Sequence, residues 1–243
     1  MQIAGIQKTT LVDYPGKVAA TVFLRGCNFR CGFCHNPELV LPEQFLPVID
    51  KNEFFRFLES RIGKLKGVCI TGGEPLLWET TRSLVSHIKA LGFAVKLDTN
   101  GSFPDRLETI IKDGDLDYIA MDIKAPLSNY ERVANNQLPM INPQINSKFQ
   151  SNNLQTLIKS SINLIMSSGI DYEFRTTVAK PYHKPGDFVE IGKIIKGAQK
   201  FYIQNFVQSK HLLGNINFEP FTQKELNQAL KNVSGYVEVA AIR

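Results

Sequence analysis

The sequence of 243 residues has little cysteine, no long apolar run and no block of charge of one sign. Its four cysteines do not suggest a disulfide framework, because three of them fall within positions 27 to 34. No stretch approaches the roughly 18 apolar residues of a membrane span, and the first residues lack the pattern of a signal peptide. The sequence therefore predicts a cytoplasmic protein that does not bind a membrane.

The charged residues exclude one class of partner. Lys and Arg number 28 against 23 Asp and Glu, but they are scattered along the chain. Proteins that bind nucleic acid usually gather their basic residues on one face, so no nucleic-acid partner is expected. With 43% hydrophobic and 21% charged residues, the composition is that of a globular protein with one sizeable core. We expect a single domain over residues 1–243.

Short β-rich runs alternate with stretches of helical period, which is typical of a parallel sheet covered by helices. The predicted strands are 18–24, 67–71, 94–98, 117–123, 171–178 and 200–207. The predicted helices are 52–65, 78–91, 104–112, 154–168 and 186–197, with a shorter one around 222–232. The apolar run that follows this last helix would close the sheet edge or extend it. The fold class is therefore α/β, with the sheet either open or curled toward a barrel.

Residues 127–153 interrupt this repeat. They are rich in Asn and Gln, too polar to pack, and long for a loop in a compact domain. We predict a polar insertion here, which is either a mobile surface loop or a loop that becomes ordered against a partner.

Cys27, Cys31 and Cys34 follow the first predicted strand, with three and then two residues between them. A structural zinc site usually needs four protein ligands in two separated pairs, and this chain offers no second pair. His35 adjoins Cys34, and adjacent side chains of extended backbone point to opposite faces. The remaining cysteine, Cys69, lies within an apolar strand and is expected to be a small buried residue.

An iron–sulfur cluster fits the three cysteines better than zinc does. Cysteine thiolates are its usual ligands, and three of them leave one iron of a [4Fe–4S] cluster without a protein ligand. An open position in a metal site is ordinarily where chemistry takes place. Phe33, between the second and third cysteines, would shield such a cluster or simply pack in the core. A zinc-stabilised binding protein without catalytic activity is the alternative from a different class.

The cysteine loop after the first strand, the aromatic residue before its third cysteine and the GGEP sequence after the second strand together resemble the radical S-adenosylmethionine superfamily. The resemblance extends over nearly the whole chain in the order of elements. It implies a partial (β/α)6 TIM-like barrel with an open mouth and helices outside. It also implies that S-adenosylmethionine binds the fourth iron and is cleaved reductively to a 5′-deoxyadenosyl radical, so that the cluster and this cosubstrate carry the chemistry.

The resemblance assigns the GGEP loop to S-adenosylmethionine. Gly72 and Gly73 would let the backbone approach the ligand closely, and Glu74 would offer a negative partner to its ammonium group. Pro75 completes the loop. In either sheet architecture the carboxyl ends of the strands form the functional face, and this loop follows such an end.

Polar residues at later strand ends are candidates for the rest of the ligand. Asp98 and Asn100 would bind ribose hydroxyls or, alternatively, cap the next helix. Lys124 would meet the carboxylate of the methionyl group. Arg175 lies within a buried strand and needs a partner, which is either the cosubstrate or an acid such as Asp122.

Two further motifs indicate which group within the superfamily the sequence resembles. LVDYPG, residues 11–16, and CHNP, residues 34–37, are similar to the glycyl-radical-enzyme activating proteins, most of all those of anaerobic ribonucleoside-triphosphate reductase. The implied reaction removes a hydrogen atom from a glycine of a partner enzyme, with an electron donor such as flavodoxin or ferredoxin. Arg25, His35 and the insertion are candidates to contact that partner. A radical enzyme acting on a small molecule, such as 7-carboxy-7-deazaguanine synthase, is the alternative.

Overall fold

The computed structural model describes residues 2–135 and 153–243. The strands are β1 Ile3–Thr10, β2 Ala19–Leu24, β3 Gly67–Gly72, β4 Ala94–Thr99, β5 Tyr118–Asp122, β6 Asp171–Val178, β7 Lys200–Asn205 and β8 Val239–Ile242. The α-helices are α1 Lys51–Glu59, α2 Thr80–Ala90, α3 Pro104–Asp113, α4 Tyr130–Ala134, α5 Leu154–Ser167, α6 Asp187–Ile194 and α7 Gln223–Ser234. Short 3₁₀ helices span Pro37–Leu39, Pro42–Gln44, Pro75–Leu77 and Leu127–Asn129.

Within the described residues the strands form one eight-stranded sheet in the order β1 to β8. Strands β2 to β8 run parallel, and β1 is antiparallel to β2. The predicted α/β class and six parallel strands are confirmed. The predicted number of strands was too low, because β8 extends the sheet edge and β1 adds to the other edge.

The sheet curves into a partial barrel with its helices outside. Arg175 on β6 reaches Asp98 on β4, at 3.3 Å between the guanidinium and the carboxylate, although β5 lies between these strands. The two side chains therefore lie on the same face of the sheet and reach across the strand between them. The edges β1 and β8 are not paired with each other in the order of strands that the structure describes.

Helices α1 and α7 begin where the sequence supplies capping side chains. The carboxylate of Asp50 accepts hydrogen bonds from the backbone nitrogens of Asn52 and Glu53 at the start of α1. At the start of α7, Thr222 and Glu225 form a reciprocal capping box. No helix in residues 2–135 or 153–243 is long and apolar enough to cross a membrane.

Tyr14 closes the concave face at the amino ends of the strands. Ala19, Gly67 and Ala94 are neighbours in register on β2, β3 and β4, and their small size leaves room for the ring of Tyr14. This ring lies 6.0 Å from that of Tyr118, and a Cβ atom on Gly67 would lie 2.9 Å from it. The ring of Tyr14 therefore fills the concave face at this end of the strands.

The first residues of the predicted polar insertion form helical structure. Residues 127–134 form a 3₁₀ turn and α4, in which Tyr130, Val133 and Ala134 are buried. The ring of Tyr130 packs edge-on against Phe29, at 6.4 Å between centroids. The prediction that residues 127–153 are too polar to pack is wrong for this first part, because its few apolar residues share one helical face. The remainder, 136–152, lies outside the described residues.

Candidate functional site

A cavity of about 260 Å³ lies between the carboxyl ends of the strands and the cysteine loop, residues 26–37. The predicted site residues in its wall are Cys27, Cys31, Phe33, Cys34, Gly72, Gly73, Asp98, Asn100, Lys124 and Arg175. The fold therefore brings together residues that are up to 148 positions apart, from Cys27 to Arg175. Glu74 and Pro75 are the two predicted residues that the wall does not contain.

The thiols of Cys27, Cys31 and Cys34 face this cavity as free cysteines. Burial raises the pKa of the Cys31 thiol to about 11, and burial also raises the pKa values of Cys27 and Cys34. Such thiols become thiolates at neutral pH only beside a metal or another cation. Within the ranges that the structure describes, no group of three His, Cys, Asp or Glu side chains is arranged around a single metal ion. The three thiols share one wall without converging on one point.

Protein contacts hold the cysteine loop on two sides. The backbone nitrogen of Leu213, in the segment after β7, donates to the carbonyl of Cys34 at 3.1 Å. On the other side, the nitrogen of Arg30 donates to the carbonyl of Ala134 at 2.9 Å. Both α4 and the segment after β7 therefore help to fix the conformation of the loop. Sequence reasoning did not find the part that α4 plays, since that helix fell inside the presumed insertion.

Phe33 packs in the core, which is one of the two roles predicted for it, and it also lies beside the cavity. Its side chain is buried and packs edge-on against Tyr182, His183 and Phe218, at 5.9 to 6.1 Å between ring centroids. The same residue lies in the cavity wall between two of the cysteines. Its ring therefore excludes water from this side of the loop while it fills the core.

The two glycines of the GGEP loop allow the loop to lie directly on the backbone that leads to the cysteines. Gly72 has a φ of 123°, which residues with a side chain rarely adopt, and a Cβ atom there would overlap the backbone of Leu24. A Cβ atom on Gly73 would overlap the backbone of Gly26. The nitrogen of Gly73 donates to the carbonyl of Leu24, and that of Glu74 to the carbonyl of Gly26, each at 2.8 Å.

Glu74 lies behind the cavity wall, which differs from its expected role as a partner for a ligand ammonium. It is fully buried, and its carboxylate accepts hydrogen bonds from the backbone nitrogens of Leu76 and Asn100 and from the hydroxyl of Thr99, at 2.6 to 2.9 Å. Burial raises the pKa of Glu74 to about 7, although these donors oppose the shift. Glu74 ties the GGEP loop to residues 98–101 at the end of β4, and Pro75 is buried at the start of the adjoining 3₁₀ helix.

Charges of alternating sign line the opposite wall. The Arg175 guanidinium donates to Asp122 at 2.8 Å and lies 3.3 Å from Asp98, while the Lys124 ammonium donates to Asp122 at 3.0 Å. Burial raises the pKa of Asp122, but Arg175 and Lys124 outweigh it and hold this pKa well below its usual range. In turn, Asp122 raises the pKa values of both cations against the effect of burial. The predicted pairing of Arg175 with Asp122 is confirmed.

Asn100 belongs to a buried amide network beneath the cysteine loop. Its side-chain nitrogen donates to the side-chain oxygen of Asn28 at 3.0 Å, and its own oxygen accepts a hydrogen bond from the Ser102 hydroxyl at 2.6 Å. Asn28 also donates to Ser102 at 2.9 Å. Sequence reasoning missed Asn28 and Ser102, although Asn28 lies within the cysteine loop and Ser102 directly follows residues 98–101.

The remaining singled-out residues fall in three different places. His35 lies in the cavity wall, stacks on Phe206 and contacts the carbonyl of Val207 at 2.7 Å, so it ties the cysteine loop to the segment after β7. Arg25 instead donates to Gln2 at 2.8 Å, outside the cavity wall. Cys69 is fully buried on β3, as predicted.

A partial α/β barrel with three thiols, two of them buried and one half-buried, and a row of paired charges at its strand ends defines a protein that can hold a thiolate-bound cluster beside a polar ligand. The chain belongs to the radical SAM superfamily, whose family model matches residues 21–177. Its cofactors are a [4Fe–4S] cluster and S-adenosylmethionine, the pair on which that family's chemistry rests. The residues present fit this pair, because a cluster of several irons needs thiolates that surround it rather than meet at one point.

The chain is similar in sequence to a candidate activating enzyme over nearly its whole length and to a synthase over about half of it. A candidate glycyl-radical enzyme activating enzyme of Methanocaldococcus jannaschii is 27% identical over 243 residues, which cover 99% of this chain and 95% of that protein. A 7-carboxy-7-deazaguanine synthase of Methanopyrus kandleri is 33% identical over 133 residues, which cover 46% of this chain and 52% of that protein.

Among solved structures, that of Streptococcus suis SuiB matches 90% of this chain and 47% of its own, with a TM-score of 0.64 and 13% identity. At this level of identity the likeness shows the fold alone.

Proposed function

We propose that the protein is an activating enzyme that removes a hydrogen atom from the Cα of a glycine in a partner enzyme, and that this partner is an anaerobic ribonucleoside-triphosphate reductase. The observation that carries the proposal is the occurrence of LVDYPG and CHNP in one chain that is similar to a candidate activating enzyme over 99% of its length. An electron donor such as flavodoxin or ferredoxin would supply the electron.

Cys27, Cys31 and Cys34 are the proposed ligands of the cluster, since they are the three thiols of the cavity wall. When bound and reduced, the cluster and S-adenosylmethionine supply the organic radical that takes the hydrogen atom. Phe33 keeps water away from this side of the cysteine loop. The reactive centre needs this protection because an exposed radical would be lost in side reactions before it reached its substrate.

Lys124 is the proposed partner of the ligand carboxylate. An ammonium group has three donors, and the hydrogen bond to Asp122 uses one of them. Arg175 adds a second positive charge to the same wall. Asp98 and Asn100 lie at the end of β4 and are proposed to face the ribose, with Gly72 and Gly73 allowing close approach of the ligand to the backbone.

A glycine inside a polypeptide requires an entrance wide enough for a backbone loop. The order of strands runs from β1 to β8 without pairing of these two edges in the described residues. An open barrel of this kind suits a polypeptide substrate, and His35, which is exposed at the cavity wall, is a candidate to contact it.

A radical enzyme acting on a small molecule is the second candidate. It is favoured by the 33% identity to a 7-carboxy-7-deazaguanine synthase over about half of each chain. In this chain, however, the third cysteine is followed by His-Asn-Pro, where the synthases resembled by the sequence usually have Asp-Thr. The zinc-protein alternative gains no support from the described residues, whose thiols do not surround a single ion.

The test is anaerobic reconstitution with iron and sulfide, followed by reduction in the presence of S-adenosylmethionine and an anaerobic ribonucleotide reductase. The proposal predicts 5′-deoxyadenosine and an electron paramagnetic resonance signal of a glycyl radical. A partner in which the radical-bearing glycine is replaced by alanine is the matched control and should give no such signal. Cleavage of S-adenosylmethionine with no radical on any glycyl-radical enzyme would instead favour a small-molecule substrate.

A further inference from the structure

Lys96 is a buried cation that the proposed chemistry leaves without a role. Its side chain is only 2% exposed, and it stands on β4 two residues before Asp98, so that both side chains point to the concave face. Burying an ammonium group is costly unless it is paired. Its partners are the Oδ1 atom of Asp98 and the thiol of Cys69 on β3, at 3.7 Å.

The two oxygens of Asp98 are held by different groups. Oδ1 pairs with Lys96, which lies deeper in the barrel, whereas Oδ2 accepts a hydrogen bond from Thr71 at 3.2 Å and lies 3.3 Å from Arg175. Asp98 lies in the cavity wall, but Lys96 does not. The deep cation therefore determines how this carboxylate is turned toward the cavity.

Arg175 offers Asp98 a competing arrangement. A guanidinium group readily binds both oxygens of one carboxylate in parallel. With Lys96 in place, only Oδ2 is available to Arg175, whose Nε atom also donates to Asp122. Without the ammonium, both oxygens of Asp98 could turn to Arg175, and the carboxylate would be drawn away from the ligand.

We propose that Lys96 is a positioning residue for S-adenosylmethionine, which holds Asp98 in the orientation that binds the adenosyl part of the ligand. This inference rests on the proposed role of Asp98 in the cosubstrate site. It does not depend on which partner receives the radical, because it concerns binding alone.

The test measures dissociation constants of S-adenosylmethionine by anaerobic equilibrium dialysis, with reconstituted protein whose cluster is kept oxidised so that no cleavage occurs. Lys96→Met removes the charge and keeps an unbranched side chain. It is expected to weaken binding about tenfold or more, the effect of losing one charge-assisted hydrogen bond. Lys89→Met is the matched control, because Lys89 also pairs with an aspartate, Asp117 at 2.6 Å, but lies outside the cavity wall. It should leave binding unchanged.

Competition separates positioning from general damage to the fold. In Lys96→Met, 5′-deoxyadenosine should compete more weakly by the same factor as S-adenosylmethionine, whereas competition by methionine should not change. If both competitors weaken equally, or if S-adenosylmethionine binds as in the wild type, the inference is wrong. Failure of the wild-type chain to bind S-adenosylmethionine would instead overturn the proposed function.

If Lys96→Met does not fold, a double variant still allows the inference to be tested. Because Lys96 is proposed to act only through Asp98, Asp98→Asn and the double variant Lys96→Met/Asp98→Asn should bind S-adenosylmethionine with equal affinity. A further loss of affinity in the double variant would show that Lys96 acts by another route and would overturn the inference.

Discussion

The two ends of the concave face are lined by different kinds of side chain. We call the amino ends of the strands, around Tyr14, the closed end, and the carboxyl ends, around the cavity, the charged end. At the amino ends of the strands, Tyr14 fills the space left by small residues, and its side chain is buried among apolar groups. At the carboxyl ends, Asp98, Asp122, Lys124 and Arg175 stand in contact around a cavity. The first end can be stable only when it is filled, whereas the second keeps its space because paired charges line it. The cavity therefore lies at the carboxyl ends of the strands, while Tyr14 fills the amino ends.

The largest effect is expected for the cysteines of the charged end. Cys31→Ala should abolish cluster binding and cleavage of S-adenosylmethionine, because Cys31 lies in the cavity wall between the other two thiols in sequence. Cys69→Ala is the matched control. Cys69 is fully buried outside that wall, so its loss should cost about 1 kcal/mol of stability and leave the cluster intact. Iron and sulfide analysis checks both variants, and equal iron loss in the two would remove the distinction.

Arg175→Met should give the next largest effect. The variant removes the cation that the half-buried Asp98 and Asp122 share and leaves each with one other cation, Lys96 or Lys124, so the free energy of unfolding should fall by about 3 kcal/mol, the lower end for breaking a buried ion pair. Arg82→Met breaks the exposed pair of Arg82 with Asp113 and should change stability little. Urea denaturation measures both. Equal changes in the two variants would mean that the charged row does not stabilise the site.

The free energy of unfolding is expected to change with pH because of the buried carboxylate of Glu74. Its pKa in the folded protein is about 7, above the usual value of 4.5, so the folded state holds the proton more tightly than the unfolded state. The proton on Glu74 therefore stabilises the fold fully below about pH 4.5. As the pH rises to about 7 this contribution is lost, and the free energy of unfolding falls by about 3 kcal/mol in all. Glu74→Gln should flatten this part of the profile, whereas Glu79→Gln, at an exposed carboxylate, should not. An unchanged profile in Glu74→Gln would contradict the assignment.

The smallest changes in stability are expected when the hydroxyl of Tyr118 or that of Tyr14 is removed at the closed end. Tyr118 donates to Glu173 at 3.0 Å, and Tyr118→Phe would leave this buried carboxylate short of a donor, at a cost of about 1–2 kcal/mol. The hydroxyl of Tyr14 has no hydrogen-bond partner among the described residues, so Tyr14→Phe should leave stability unchanged or raise it slightly. Thermal unfolding distinguishes the two. A loss of stability in Tyr14→Phe as large as that in Tyr118→Phe would reveal a polar contact at this end.

The repeating core of the fold could be predicted because its strands and helices carry strong periodic patterns. Strand β6, predicted at 171–178, spans Asp171–Val178, and Lys51–Glu59 ends well before the predicted end of the first helix at residue 65. Strand β1 was missed because few of its residues are buried and they do not alternate. Helix α4 was missed because three apolar residues in a polar stretch give too weak a pattern.

The site was predicted where a motif places a residue at a strand end, and missed where a contact depends on tertiary packing. The cysteines, Asp98 and Arg175 follow or lie within strands, so the topology alone brings them together. Glu74 lies in such a motif, but only the folded chain shows that its carboxylate faces the neighbouring loop. Lys96 has no motif at all, and its importance follows from burial that a sequence does not display.

The central claim is that the three thiols hold a cluster that works together with S-adenosylmethionine. The most direct measurement determines iron, sulfide and 5′-deoxyadenosine in the anaerobically reconstituted and reduced protein. We expect iron and sulfide in the amounts of one [4Fe–4S] cluster per chain, and 5′-deoxyadenosine only when S-adenosylmethionine and reductant are both present. A colourless protein with one tightly bound zinc ion, and no 5′-deoxyadenosine after reduction, would contradict the account.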